Sequence, residues 1–248
     1  MKLKLSVIIP AYKEAANIEN GALDEVWQYL KKQKYSWEVV VVDDGSPDNT
    51  AELAEKFAAK HKGFRLQKEP HRGKAGTVIA GMLKAKGEIV LFSDMDQATP
   101  INQIEKFFTK FDNGYDIVIG SRTGRKGASL IRKSMAFGFA FLRTIILRLP
   151  YRDTQCGFKA FRQGAAKKIF TKMKIYSEKT KFKGASVTAG FDLELLYLAR
   201  KLGLKVAEVA VEWEEKGVRK EVDVIKDSWE GFRDLIRVRI NALRGLYK

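Results

Sequence analysis

Asp94 and Asp96 flank a single residue directly after the apolar run Ile89–Phe92. Two carboxylates at the end of a buried strand can share a divalent cation, because hard ions such as Mg2+ take oxygen ligands and keep substrate phosphates among them. An isolated Asp-x-Asp is more often a solvated acidic turn; its place after a buried strand shifts that weighting. A second carboxylate pair, Asp43 and Asp44, follows Val39–Val42 and leads into Gly45 and Ser46. A carboxylate there can accept hydrogen bonds from a ribose or a base edge. Ser46, Asp48 or Asn49 can equally cap the next helix. The third cluster is His71-Arg72-Gly73-Lys74-Ala75-Gly76, ahead of a helical pattern. Glycines let backbone approach a phosphate, a helix start favours anions, and Arg72 and Lys74 add charge. The Gly-x4-Gly-Lys-Ser/Thr spacing of a Walker A loop is absent.

These residues need a frame, and the first half of the chain supplies one. Strand patterns at Leu5–Ile9, Glu38–Val42, Phe64–Gln67, Ile89–Ser93 and Ile117–Gly120 alternate with helical patterns near Asn17–Lys32, Asn49–Lys60, Ala75–Lys86 and Ile101–Lys110. Short Val/Ile-rich runs between amphipathic helices predict an α/β fold, an open, mostly parallel sheet with helices on both faces. Ligands bind such sheets beyond the carboxyl ends of the strands, which is where all three clusters fall. Farther on, the pattern predicts helices near Arg162–Thr171 and Asp192–Leu202, a strand at Lys205–Trp213, and a basic amphipathic helix over Val224–Lys248. Residues 1–220 read as one domain and 221–248 as a helical tail.

Composition narrows the partners. The 248 residues hold 46 Lys+Arg against 30 Asp+Glu, a formal net charge of +16. Such an excess favours nucleic acid, an anionic membrane face or phosphorylated substrates; a solvated basic surface kept for solubility accounts for it equally well. No RNA- or DNA-binding signature accompanies the charge, so nucleic acid is not an expected partner. The single cysteine, Cys156, excludes an intrachain disulfide framework and reads as a small packed residue. No signal peptide is visible, and no apolar stretch reaches the ~20 residues that span a bilayer. A cytoplasmic chain, peripheral on the cytoplasmic face of a membrane, is the expectation.

Taken in order, Ser6–Glu14, Val42–Ser46, Arg72–Gly76 and Asp94-Met95-Asp96 resemble glycosyltransferase family two, with its nucleotide-sugar-binding GT-A fold. Within it, Asp153-Thr154-Gln155-Cys156-Gly157-Phe158-Lys159 followed by Gly190–Leu196 resembles the dolichyl-phosphate β-glucosyltransferase branch, whose members transfer sugar to polyprenyl phosphates. The resemblance covers about residues 5–220. It implies that Pro10, Tyr12, Glu14, Asp43, Asp44, Lys74 and Met95 bind the nucleotide-sugar donor. It implies that Asp94 and Asp96 hold Mg2+ or Mn2+ with the diphosphate. Arg122, Arg132, Ser134, Arg219 and Lys220 then fall at positions for acceptor or donor phosphate. Two departures stand out: Arg219 replaces a serine that the family carries beside Lys220, and Lys13 replaces the usual asparagine after Tyr12.

The expected reaction is inverting transfer of a hexose, glucose from UDP-glucose, to a polyprenyl phosphate of the dolichyl type. A soluble or cell-envelope glycan as acceptor, or GDP-mannose as donor, is the alternative. A cation on Asp94 and Asp96 stabilises the leaving diphosphate. The attacking phosphate oxygen is already anionic, so no strong base is required. Asp153 and Asp192 are the candidate base or orienting carboxylates, with capping and ion pairing the plainer account of both. Ser121–Pro150 carries seven Lys/Arg and no acid. There Arg132, Lys133, Arg143 and Arg148 punctuate an apolar face of Met135, Phe137, Phe141, Ile145 and Leu149, which suits either an anionic membrane surface or a core helix with a basic exterior. The tail repeats that character, with Ile225, Trp229, Phe232, Ile236, Ile240 and Leu243 along one side.

Overall fold

A computed structural model of the chain describes residues 3–122, 130–175, 189–214 and 224–247, with side chains beginning at 138, 190 and 229 in the last three segments. Its seven strands form one sheet. They are β1 (Leu5–Ala11), β2 (Trp37–Asp43), β3 (Phe64–Lys68), β4 (Ile89–Phe92), β5 (Ile117–Arg122), β6 (Lys159–Arg162) and β7 (Val206–Val211), in the order β3-β2-β1-β4-β6-β5-β7. All neighbours are parallel except β6, which runs antiparallel to β4 and β5. The helices are α1 (Ala15–Glu19), α2 (Ala22–Leu30), α3 (Thr50–Lys60), α4 (Gly73–Lys84), α5 (Glu105–Asp112), α6 (Leu130–Leu147), α7 (Gln163–Phe170), α8 (Ala189–Lys201) and α9 (Val224–Leu243).

The central strands read as unbroken apolar runs because both faces of the sheet are covered. Side chains alternate with the strand period of two. Val7, Ile9, Val39, Val41 and Leu91 pack with Leu23, Val26 and Leu30 of α2 and with Phe107 and Phe111 of α5. Ile8, Val40, Val42, Val90 and Phe92 face the other way, onto Val78 and Met82 of α4, Ile169 of α7 and Leu195 of α8. Gly81 lets α4 approach this face closely: a Cβ there would lie 2.4 Å from Ile8 Cγ2.

The expected open α/β sheet with helices on both faces is the architecture observed. Three local differences have physical causes. The helix anticipated over Asn17–Lys32 is two, because Gly21 takes a left-handed φ of 85° that no α-helix continues through. The segment expected to run as a helix from Ile101 begins as a 3-10 turn, Ile101–Ile104, behind Pro100. Strand β6 was not anticipated, since its four residues include Lys159 and Arg162 and show no apolar run.

Helix α9 shares the main core. Its Leu235 and Val238 are fully buried, and Tyr247, just beyond it, donates its hydroxyl to Glu194 of α8 at 2.8 Å. Among the described residues, no helix is long and apolar enough to cross a membrane.

Candidate active site

Parallel strands β1, β2 and β4 end side by side, and the register sets Ala11 beside Asp43 and Ile8 beside Phe92. The residues just past these ends therefore meet at one rim of the sheet. Pro10 lies buried in β1, and Tyr12 follows, half-buried. Its ring stacks on His71, 4.4 Å between centroids. At the end of β2 the two carboxylates divide their work. Asp43 turns back on its own loop and accepts from the backbone N–H of Gly45 and Ser46. Asp44, 1% exposed, accepts from Arg72 N–H at 2.7 Å through Oδ1 and lies 2.9 Å from His71 Nδ1 through Oδ2. Of the three capping candidates Asp48 meets the start of α3, accepting from Thr50 N–H at 3.2 Å, while Ser46 Oγ accepts from Lys13 N–H and Thr50 Oγ1 from Glu14 N–H, tying the β1 loop to the β2 loop. Lys13 sits at φ 56°. Glu14 accepts a side-chain bond from Asn17.

Helix α4 begins at Gly73, whose φ of 73° makes the sharp entry. A Cβ on Gly76 would lie 2.6 Å from Arg72 Cβ, so this glycine admits the Arg72 side chain against the helix. The same helix start carries Lys74 across to β4, where Nζ pairs with Asp94 Oδ1 at 2.5 Å. Burial would lower the Lys74 pKa, but Asp94 outweighs it and the ammonium is held protonated above its ordinary range. Asp96 accepts from Ala98 N–H at 3.0 Å, and Met95 between the two carboxylates is buried. Gln97 turns the chain at φ 50°, its side-chain amide donating to Asp94 O at 2.8 Å.

Antiparallel pairing of β6 with β4 sets Lys159 opposite Phe92. That register carries the preceding Cys156-Gly157 turn under the Asp94 carboxylate. A Cβ on Gly157 would lie 2.0 Å from Asp94 Oδ2, so any larger residue there would displace the Asp94 carboxylate. Cys156 is buried, and burial raises its thiol pKa, which accords with packing. Lys159 is 0% exposed and donates to Asp192 Oδ1 at 2.8 Å from the first turn of α8. Burial pushes the Asp192 carboxyl up, against the pull of Lys159 and then Lys74.

At the end of β5, Arg122 grips Asp153 through two parallel bonds, Nε to Oδ2 at 2.6 Å and Nη2 to Oδ1 at 2.9 Å. Burial would raise the Asp153 carboxyl; Arg122 outweighs it and holds the pKa at about 2. The Arg122 guanidinium also lies 5.8 Å from the Trp213 ring centroid. Arg132 and Ser134 lie within α6, but their side chains, like Arg219 and Lys220 altogether, are outside the described residues.

The donor set suits a hard divalent ion. Two carboxylates stand one residue apart at a strand end, and among the described residues no group of three His, Cys, Asp or Glu could hold a metal. Such a pair fits an ion whose other ligands are water and substrate phosphate. Sequence reasoning did not assign His71 as the partner of Tyr12 and Asp44, or Lys159 as the partner of Asp192. A histidine and a lysine beside glycines carry no sequence signal for burial against those particular groups.

One expectation about the basic segment needs correction. Arg143 does not stand on an outward cationic face; it is 4% exposed, donates to Thr154 Oγ1 at 3.1 Å and also to Tyr151 O, and so staples the loop after α6. Leu149, expected on the insertion face, is fully buried, because the chain turns inward there. Phe141 and Ile145 do stand outward, 58% and 59% exposed. On α9, Trp229, Phe232, Ile236, Ile240 and Leu243 share one face of the helical wheel, opposite the buried Leu235 and Val238. Trp229 is 67% and Leu243 72% exposed. The exposed Arg233 and Arg237 border that stripe on one side and Arg239 on the other.

Residues 6–170 match the profile of glycosyl transferase family 2. The chain is 35% identical to a dolichyl-phosphate beta-glucosyltransferase of Dictyostelium discoideum, covering 98% of this chain and 76% of that protein. The human protein of that name is 32% identical, with 99% and 78% covered. Among solved structures, mannosyl-3-phosphoglycerate synthase from Rubrobacter xylanophilus superposes with a TM-score of 0.70 at 19% identity, covering 98% of this chain and 75% of that one. Glucosyl-3-phosphoglycerate synthase from Mycobacterium tuberculosis, crystallised with Mn2+, UDP and glucosyl-3-phosphoglycerate, gives 0.64 at 20% identity, covering 95% and 80%. At such identities the structural likeness speaks for the fold.

Proposed function

The chain belongs to glycosyl transferase family 2, and from that premise we propose that it moves glucose from UDP-glucose to a polyprenyl phosphate of the dolichyl type, with inversion at the sugar carbon. The observation that carries this reading is the near full-length similarity to proteins named dolichyl-phosphate beta-glucosyltransferase. The rim of the sheet accords with it, since nucleoside, diphosphate and phosphate each find complementary groups there.

In this reading Tyr12, Glu14 and Asp44 bind the nucleoside. Asp44 is already oriented by Arg72 N–H and His71. Pro10 and Asp43 hold the loops that carry those groups, and Met95 spaces the two metal carboxylates. Asp94 and Asp96 would hold Mg2+ or Mn2+, which when bound supplies Lewis-acid stabilisation of the departing diphosphate. Lys74 adds a fixed positive charge beside them.

The acceptor oxygen attacks the sugar carbon from the face opposite the leaving UDP, the C–O bond to UDP breaks, and the electron pair leaves with the diphosphate. The lipid phosphate needs no deprotonation at neutral pH. Asp153, held at about 2 by Arg122, is a poor proton acceptor, so its part is to orient Arg122 toward phosphate. Asp192 orients the Asp94 side of the site. Arg132, Ser134, Arg219 and Lys220 complete the phosphate contacts. The outward faces of α6 and α9 rest on the cytoplasmic, anionic surface of a membrane, where the acceptor's tail lies.

A donor-by-acceptor panel tests the reading: UDP-glucose and GDP-mannose, each with polyprenyl phosphate and with a soluble glycan. Glucose entering the lipid supports it; transfer only to the glycan, or only from GDP-mannose, overturns it.

A further inference from the structure

Lys159 is a charged side chain sealed inside the protein, 0% exposed, with Nζ 5.4 Å from the Phe92 ring centroid. Burying an ammonium is costly unless it is paired and hydrogen-bonded, and an apolar residue of similar volume is often tolerated equally well in such a place. The lysine cannot reach a solvent-borne phosphate. It donates instead to two acceptors, the Asp192 carboxylate and the main-chain oxygen of Cys156.

The second acceptor adjoins Asp94, and the first lies within its electrostatic reach. The peptide that follows the Cys156 oxygen leads into Gly157, the residue whose missing Cβ makes room for the Asp94 carboxylate. Asp192 lies near enough to Lys74 and Asp94 for each to shift its charge equilibrium. One buried ammonium thus holds the turn under a candidate metal ligand and also the Asp192 carboxylate.

We propose that Lys159 is a positioning residue for glycosyl transfer, clamping Asp192 and the Cys156-Gly157 turn so that Asp94 holds its catalytic placement. This inference rests on the functional reading above. Lys159 touches no substrate; it acts through Asp192 and Gly157. A role confined to stability would lower the melting temperature and leave kcat of the folded enzyme intact. A positioning role lowers kcat at temperatures where the protein is fully folded.

The test is a double-mutant cycle of Lys159→Met and Asp192→Asn, with Lys159→Arg as the conservative variant. It uses the full chain below its measured melting transition. Misplacement of a reacting group by about an ångström costs on the order of 100-fold, so Lys159→Met should lose about that in kcat while the donor KM stays within about threefold. Lys159→Arg should recover part of it. Because both single changes disturb the same contact, the double variant should be no slower than the slower single. It also removes both buried charges, so it keeps the test alive if Lys159→Met alone does not fold. Folded Lys159→Met with wild-type kcat, or losses that multiply in the double variant, would overturn the proposal. Mn2+ binding in the presence of UDP, followed by calorimetry, separates this inference from the acceptor assignment. It should weaken about tenfold in the folded Lys159→Met variant, and less in Lys159→Arg, whatever the acceptor proves to be, because the Asp94 seat has shifted. Unchanged Mn2+ affinity would count against the clamp even if glucose transfer were established.

Discussion

At the carboxyl ends of β2 and β4 and the start of α8, charged side chains are buried or half-buried and held by named partners: Asp44 by Arg72 and His71, Asp94 by Lys74, Asp192 by Lys159. Along the outer face of α9 the pattern inverts. There Trp229, Phe232, Ile240 and Leu243 stand in solvent, with arginines on either border. The first region spends folding free energy to fix charge in advance of a ligand, as electrostatic preorganisation requires. The second leaves apolar area uncovered that the chain's own core does not need, since Leu235 and Val238 already dock the helix. Polar order inside and apolar exposure outside fit the proposed transfer from a water-soluble nucleotide sugar to an acceptor anchored in lipid.

The sharpest way to break the contrast is at the donor rim. Asp96→Ala should reduce transfer by about 1,000-fold or more, since loss of a metal ligand removes the charge stabilisation of the leaving group. Circular dichroism should stay native, because Asp96 is half-buried in the turn after β4, outside the helices and strands. Retained activity in a folded Asp96→Ala protein would detach the carboxylate pair from catalysis.

A second change probes the outer face. Trp229→Glu with Leu243→Glu should weaken binding to anionic vesicles by about 100-fold, as two exposed apolar anchors are replaced by like charge against the lipid. Wild-type binding should fall as salt rises through the range where the Debye length drops below about 10 Å. UDP affinity should be unchanged in the same variant. If the vesicles bind wild type and variant alike, the outer stripe is not the docking face.

How these regions appear in the sequence differs in the same way. The strands were legible because unbroken Val/Ile runs have few other uses, and the Asp94-Met95-Asp96 site was legible because it follows one of them. The stripe on α9 was legible from its helical spacing, although spacing alone could not say that this face looks outward rather than into the core. Other features needed the fold. Arg143 looked like a surface cation in a basic segment, yet it is buried against Thr154 and Tyr151 O. Lys159 looked like the charged end of a motif, yet it is a buried partner of Asp192. Sequence gives a residue's charge; only tertiary packing gives its solvent access and its partner. Strand β6 was hidden for the same reason, because two of its four residues are cations.

Smaller effects sharpen the donor side. Asp44→Ala should weaken UDP by about 30-fold, the scale of losing charge-assisted hydrogen bonds, and UDP should bind wild type more tightly than GDP. Calorimetry reads both; equal affinity for the two nucleotides would move the donor assignment toward GDP-mannose. The Arg122–Asp153 pair gives the smallest signal, in pH-dependent stability. Arg122 holds the Asp153 carboxyl at about 2 in the folded protein, below its ordinary value of 3.8. Its contribution is therefore fully present above the unfolded value and is lost as pH falls from about 4 toward 2. By linkage it amounts to about 2 kcal/mol. Denaturant titrations at pH 7 and pH 3 should show wild type losing more stability than Asp153→Asn over that interval, and equal losses would mean the pair is not held in solution.

The most direct measurement follows radiolabelled glucose from UDP-glucose, with polyprenyl phosphate presented in anionic vesicles. The protein is assayed with Mn2+, after chelation, and after Mn2+ is restored. The account predicts label in the organic phase with the metal, none after chelation, and recovery on restoration. Label that stays in the aqueous phase while a soluble glycan is glucosylated, or full lipid labelling by metal-stripped protein, would contradict it.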